Sequence, residues 1–376
     1  MYLLPKPKTI KEQDGQMLLC HSTHIVMTKE VAETEMHAAK RLQEAIRQET
    51  GLILPFSVGE VREGDLSLGI AKTLPEQTYE ITIDEKGGQI SGGDGAGVLY
   101  GVETFCQIVQ QCGGILPCVQ IQDAPDMPNR GYYFDQTRGR VLKLEELKKI
   151  ADRMCRYKLN QLQLYVEHTY LFRDFSEMWR DQTPLTAEEI RELDSYCRER
   201  HIELVPSLAS FGHLCTLLST KTYGDLCEME DSWKEPFSFW NRMRYHTINV
   251  SDERSLPLIK KMIAEYMQLF SSNKFNICAD ETFCLGKYKS KKLAEERDVH
   301  RLYIDYVKEL AQFLVENGKI PMFWGDIIWN SPELMKELPE SMICLNWGYA
   351  PEQREDETRA IAQTGAVQYL CPGVCG

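Results

Sequence analysis

The chain of 376 residues contains no apolar run near the roughly 20 residues that a membrane span requires. Its opening, Met1-Tyr2-Leu3-Leu4-Pro5-Lys6, lacks the long apolar region of a secretory signal. The expectation is a cytoplasmic protein without a membrane partner. Positive charge is scarce. Lys and Arg number 43 against 56 Asp and Glu, and the net charge of −13 argues against nucleic acid or an anionic surface as partner. No C-x-x-C pair occurs, and the 13 cysteines are scattered and odd in number. Reduced thiols are expected rather than a disulfide framework. Cys371-x-x-x-Cys375 comes closest to a metal spacing, but no His or Cys flanks it. Neither a metal nor a cofactor is expected. What is present suits an ordinary globular protein: 43% hydrophobic and 26% charged residues, enough for one large domain and a smaller one.

Residues 1–125 read as a small α/β domain. Leu66 to Ile70 and Gln77 to Ile83 alternate with period two, as half-buried strands do. Ala39, Leu42 and Ile46 recur at helical spacing before Gly51, and Leu99, Val102, Cys106 and Val109 form a second stripe before Gly113-Gly114. The glycine-rich run Gly92 to Gly97 opens that second helix. No Lys-Ser/Thr follows it, so a turn and helix cap is expected rather than a phosphate cradle. Two prolines in Ile121 to Pro128 mark a linker. From residue 126 to 376 strand and helix alternate. The strands read as Gly131 to Asp135, Gln161 to Val166, Ile202 to Leu208, Phe275 to Ala279, Ile320 to Trp324, Met342 to Trp347 and Ala366 to Leu370. Helical stripes lie between them, one opened by the capping box Thr186-x-x-Glu189. Seven βα units imply an α/β fold of the (β/α)8 TIM type, with the eighth unit not reached by Gly376. A fragment of a longer protein is expected, since an open barrel leaves two strand edges unpaired.

Chemistry falls at the carboxyl ends of these strands. The strand Phe275 to Ala279 runs into Asp280-Glu281, two adjacent carboxyls that repulsion and unequal burial would push apart in pKa. Strict strand alternation would send the two to opposite faces, so a turn is required to bring both to one pocket. One acid beside one anion suits glycosidic bond cleavage, although an Asp-Glu pair also occurs simply at helix N-termini. Other strand ends give Glu167-His168, Phe211-Gly212-His213, Trp324-Gly325-Asp326 and Trp347-Gly348-Tyr349. Indole faces stack on the apolar face of a sugar ring, and Arg and carboxylates satisfy its hydroxyls. Arg138 reads as a structural salt-bridge partner. An insert after His213 carries Glu228, Glu230 and Asp231 as an acidic rim, with Trp233, Phe237, Phe239 and Trp240 either shaping an entrance or packing as a cover.

Four segments carry a family resemblance. Arg130 to Arg138 resembles the R-G-x-x-x-D-x-x-R opening of the catalytic domain of family 20 glycoside hydrolases, the β-N-acetylhexosaminidases. Ala279-Asp280-Glu281 resembles that family's Asp-Glu motif. Val205-Pro206 to His213 is similar to its strand-three segment, and Gly97 to Phe105 to a segment of its non-catalytic N-terminal domain. The resemblance implies a retaining exo-β-N-acetylhexosaminidase that removes terminal GlcNAc or GalNAc from an oligosaccharide or glycoconjugate by substrate assistance. The substrate's acetamido oxygen attacks the anomeric carbon and forms an oxazolinium intermediate. Asp280 would orient the acetamide, and Glu281 would act as acid and then base. Arg130 would bind outer hydroxyls, His213 would support the site, Trp324 and Trp347 would wall it, and Asp326 would touch a hydroxyl or back the pocket.

The chain departs from the pattern in places. Tyr165-Val166-Glu167-His168 replaces the usual H-x-x-D, leaving Glu167, with His168 as alternative, as the acid partner expected for His213. Cys278-Ala279 stands where two glycines are usual. Tyr369 is the nearest match for the tyrosine that binds the acetamide oxygen. These departures motivate a second reading, a catalytically weak or inactive glycan-binding barrel. Oligomeric state and the choice between GlcNAc and GalNAc are not legible.

Overall fold

The computed structural model describes residues 1–352 and 354–374. Cys375 of the cysteine pair noted above lies outside them. The chain divides into two compact units, one of Met1–Tyr132, Glu145–Leu162 and Ser195–Glu203, the other of Tyr133–Leu144, Gln163–Asp194 and Leu204–Gly376. No helix among the described residues is long and apolar enough to cross a membrane.

The first unit holds a seven-stranded sheet of β1 (Thr9–Leu18), β2 (Ile25–Met27), β3 (Phe56–Val58), β4 (Leu66–Ile70), β5 (Tyr79–Asp84), β6 (Gly87–Gly92) and β7 (Ile115–Asp123), in the order β1-β7-β5-β6-β4-β2-β3. The long strands β1 and β7 have no clean alternation and were not legible in the sequence. The helix Met36–Thr50 ends at Gly51, whose φ of 77° is the left-handed cap that only glycine adopts freely. The helix Gly95–Cys112 buries every residue from Ala96 to Val109, and the one charged side chain among them, Glu103, pairs with Arg41. The glycine-rich run is a cap, as expected. The Asp94 carboxylate accepts the Gly97 amide at 2.7 Å and the Gln77 amide at 2.9 Å.

The second sheet has seven strands in unbroken sequential order. They are β8 (Gly131–Asp135), β9 (Gln161–Val166), β10 (Glu203–Leu208), β11 (Lys274–Asn276), β12 (Ile320–Trp324), β13 (Ile343–Gly348) and β14 (Val367–Pro372). Pairing from β10 through β14 is parallel. Helices Leu144–Arg156, Ala187–Arg198, Ser255–Tyr266, Val299–Glu316 and Glu355–Gln363 make five of the six crossovers, and between β12 and β13 the chain forms only the short 3-10 turns Ile328–Asn330 and Pro332–Glu337. This is the (β/α) pattern read from the sequence. Every residue of β9 is buried, as a parallel strand covered on both faces requires. The capping box closes reciprocally, Thr186 N–H donating to Glu189 Oε2 at 2.9 Å and Glu189 N–H to Thr186 Oγ1 at 3.2 Å.

One strand is shorter than its sequence suggests. β11 ends at Asn276, not Ala279, because Cys278 and Ala279 take φ values of 58° and 63°. The backbone therefore leaves extended geometry just before the acid pair.

Asp94→Ala should destabilise the chain by about 1 kcal/mol through loss of the cap. Urea unfolding checks it; an unchanged midpoint would show that Asp94 does not hold the helix end.

Candidate active site

The turn after β11 puts three non-glycine residues in the left-handed region within four positions: Cys278, Ala279 and Glu281, at φ 58°, 63° and 48°. Each costs of order 1–2 kcal/mol relative to right-handed or extended backbone. Surrounding contacts hold the turn. Tyr303 Oη donates to the Ala279 carbonyl at 2.9 Å, and Trp324 N–H donates to the Cys278 carbonyl at 2.9 Å. Gly212 lies so close that a Cβ there would stand 2.5 Å from the Asp280 carbonyl oxygen. The glycine of Phe211-Gly212-His213 is thus fixed by close approach, and it brings His213 against the turn.

The result is that both carboxyls reach one place. His213 Nε2 lies 3.3 Å from Asp280 Oδ2 and 3.3 Å from Glu281 Oε2. Neither contact is aligned as a hydrogen bond, so the attraction is chiefly between charges. Burial works against charge on the imidazole, but Asp280 and Glu281 outweigh it and lift His213 to about 10. Burial also favours a neutral Asp280; the His213 cation overrides it and holds Asp280 below 3.8. Asp280 is therefore an anion at neutral pH. Glu281 is additionally held by its main chain, whose N–H donates to Asp326 Oδ2 at 3.0 Å.

A second charged group flanks the pair at the ends of β8 and β9. Arg138 Nε donates to Asp135 Oδ2 at 2.6 Å, lies 4.0 Å from Glu167 Oε1, and its guanidinium sits 4.8 Å from the Tyr165 ring centroid. Glu167 is 3% exposed and takes Tyr165 Oη at 2.9 Å and Arg242 Nη2 at 2.9 Å. So Glu167 is the partner of two arginines, whereas the carboxylates beside His213 are Asp280 and Glu281. His168 is buried and bonds Thr216 Oγ1 at 3.2 Å.

Arg130 is placed differently from the expectation. It belongs to the first unit, where its guanidinium bonds the Lys158, Met127 and Pro128 carbonyls, Gln77 Oε1 and Tyr100 Oη. Arg138 is the guanidinium at the carboxyl ends of the strands. Position in the motif could have told them apart: Arg130 precedes β8 and Arg138 follows it.

Trp324 is 7% exposed and meets Tyr133 edge-on with ring centroids 4.9 Å apart. Trp347, at the end of β13, packs against Tyr349 at 5.2 Å. Tyr369 sits on β14 opposite Leu345. In the insert, Glu228 is no part of an acidic rim. It is fully buried, and its Oε1 takes the Tyr288 and Ser290 amides and the Ser290 hydroxyl at 2.7–3.2 Å. Trp233, Phe237, Phe239 and Trp240 are 56–84% exposed and so do not pack as a cover. A cavity of about 210 Å³ is lined by Thr282, Phe283, Tyr303, Ile327 and Asn330 among others, and by neither carboxyl of the pair. A larger one, about 300 Å³, lies in the first unit. Among the described residues no cluster of His, Cys, Asp and Glu could hold a metal ion.

Comparison with known proteins completes the picture. Residues 128–373 match the catalytic domain of glycosyl hydrolase family 20, and residues 1–124 match domain 2 of that family. A β-hexosaminidase of Porphyromonas gingivalis is 25% identical over 87% of this chain and 45% of its own length. One of Vibrio furnissii is 26% identical over 74% of this chain and 48% of its own length. The chain thus spans about half the length of these curated relatives. The fold superposes on the exo-β-N-acetylglucosaminidase of Vibrio harveyi, solved with N-acetylglucosamine, at a TM-score of 0.81 and 19% identity, covering 99% of this chain and 60% of that one.

Linkage fixes the pH response of the site. His213, raised from 6.5 to about 10, contributes stability that is complete below 6.5 and lost as pH rises through about 10. Asp280, held below 3.8, contributes stability present above 3.8 and lost as pH falls through its lowered value. His213→Gln should flatten the dependence of the melting temperature between pH 6.5 and about 10; an equally steep profile would place the charge elsewhere. Gly212→Ala should cost about 1–3 kcal/mol by overpacking against Asp280, read by thermal melting; a neutral outcome would show that the turn yields freely. With acids, aromatics and a guanidinium gathered where the family model matches, the chain belongs to glycosyl hydrolase family 20.

Proposed function

We propose that the chain carries the catalytic part of a retaining exo-β-N-acetylhexosaminidase acting on terminal β-linked GlcNAc or GalNAc by substrate assistance. The observation that supports it most is the single buried imidazole against which both carboxyls of the pair rest. An anion at Asp280 suits a group that orients the substrate's acetamide and balances the positive charge growing on its nitrogen. The acetamide oxygen forms the new bond to the anomeric carbon as the bond to the leaving oxygen breaks. Glu281 gives its proton to that oxygen. In the second step water attacks the same carbon, the oxazolinium ring opens, and Glu281 takes the proton of the water. The enzyme supplies no nucleophile, which sets this mechanism apart from retaining glycosidases that use two carboxyls. Arg138 suits the sugar's outer hydroxyls, with the buried Glu167 beside it, and Trp324 and Trp347 suit its apolar face.

A chromogenic β-GlcNAc should be hydrolysed and the matching β-glucoside, which lacks the internal nucleophile, should not; equal rates would exclude substrate assistance. Glu281→Gln should lose about 10²–10⁴-fold in kcat on substrates with poor leaving groups and less on good ones. If it keeps full activity on both, another residue supplies the proton.

A further inference from the structure

We infer that Asp326 is a positioning residue for Glu281, holding the peptide of the acid from the neighbouring strand's loop. The argument rests on the proposed role of Glu281 for its catalytic meaning, but its geometry stands alone. Glu281 follows two left-handed residues and is itself left-handed at φ 48°, a conformation it would not keep unaided. Three contacts fix it. The side chain is attracted to His213 at 3.3 Å, the main-chain N–H donates to Asp326 Oδ2 at 3.0 Å, and the carbonyl accepts the Phe283 N–H at 2.7 Å. The last is local to the turn; the Asp326 bond ties the Glu281 peptide to a neighbouring strand's loop, and so bears on the direction in which the carboxyl leaves it. Asp326 is itself fixed by Trp324-Gly325. The Gly325 N–H donates to the Leu345 carbonyl at 2.9 Å, and a Cβ on Gly325 would stand 2.7 Å from Cys344 Sγ.

The other oxygen of Asp326 has a separate meaning. Oδ1 is buried and has no hydrogen-bond partner. An ionised oxygen there would be costly. Burial, then the charges of Asp280 and Glu281, push Asp326 up to about 8. Tyr303 from the helix Val299–Glu316 and Cys344 from β13 also face it, and both favour their neutral forms. The His213 cation stands 3.3 Å from both Asp280 and Glu281. At neutral pH the site thus contains a third carboxyl that carries a proton. It can accept the Glu281 amide without adding a further negative charge beside Asp280.

The test is amide hydrogen exchange at Glu281 alongside kinetics. In the native chain the Glu281 N–H should be protected; exchange at the free-peptide rate would overturn the inference without any variant. Asp326→Ala should speed that exchange about tenfold, the equivalent of one lost hydrogen bond. It should also lower kcat on chromogenic β-GlcNAc by about 10²-fold, as a misplaced catalytic group does, with KM little moved. Asp326→Asn keeps an acceptor of the same shape and should recover most of both losses. It should also remove the alkaline change in kcat/KM centred near 8 in the native chain. Unchanged exchange and kcat in Asp326→Ala, or an Asn variant as damaged as the Ala variant, would overturn the role. If the native chain turns over no β-GlcNAc, the functional proposal fails, and the exchange measurements still decide the positioning role.

Discussion

The site depends on one attraction, that of a buried imidazolium for two carboxyls at once. His213 is nearly inaccessible, so its charge is tolerable only because Asp280 and Glu281 stand beside it. Conversely, two acids adjacent in sequence would repel each other into a mixed state without that cation. The arrangement sorts them. Asp280 is held as the anion, while Glu281 is attached to a separate hydrogen bond through its backbone. The third carboxyl, Asp326, is kept from ionising by the same crowding that the imidazolium relieves for its neighbours. Charge at this turn is thus set by position relative to His213 more than by residue type.

The backbone is organised for the same end. Three left-handed residues without glycine represent a few kcal/mol of strain. That strain lets side chains that would alternate across a strand converge on one imidazole. The substitution of Cys278-Ala279 for a pair of glycines does not relax the turn, since both residues still take positive φ. The neighbours compensate. Tyr303 and Trp324 bond the turn's carbonyls, and Gly212 makes room for the Asp280 carbonyl.

Much of this was legible in the sequence. The strands of the second sheet and their crossovers follow from apolar runs punctuated by helical stripes, and β9 and β12 coincide with their expected bounds. Asp280, Glu281 and His213 meet as their places at strand ends suggest. What the sequence hid was tertiary. Glu167 looks like a histidine's partner in one dimension and is an arginine's partner in three. Glu228 looks like a surface acid because its neighbours are polar, yet it is sealed by Ser290 and Tyr288 from a loop about 60 residues away. Arg130 and Arg138 share one motif, and only the direction of β8 separates them.

Glu167 bridges Arg138, from the loop after β8, and Arg242, from the short helix Phe239–Arg244 in the long insert. Loss of Glu167 would leave Arg242 without that carboxylate, and loss of Arg242 would leave Glu167 with only the longer ion pair to Arg138, which keeps Asp135 in either case. The insert, although its aromatic side chains are exposed, is thus tied by a buried charge to the strand ends beside the acid pair.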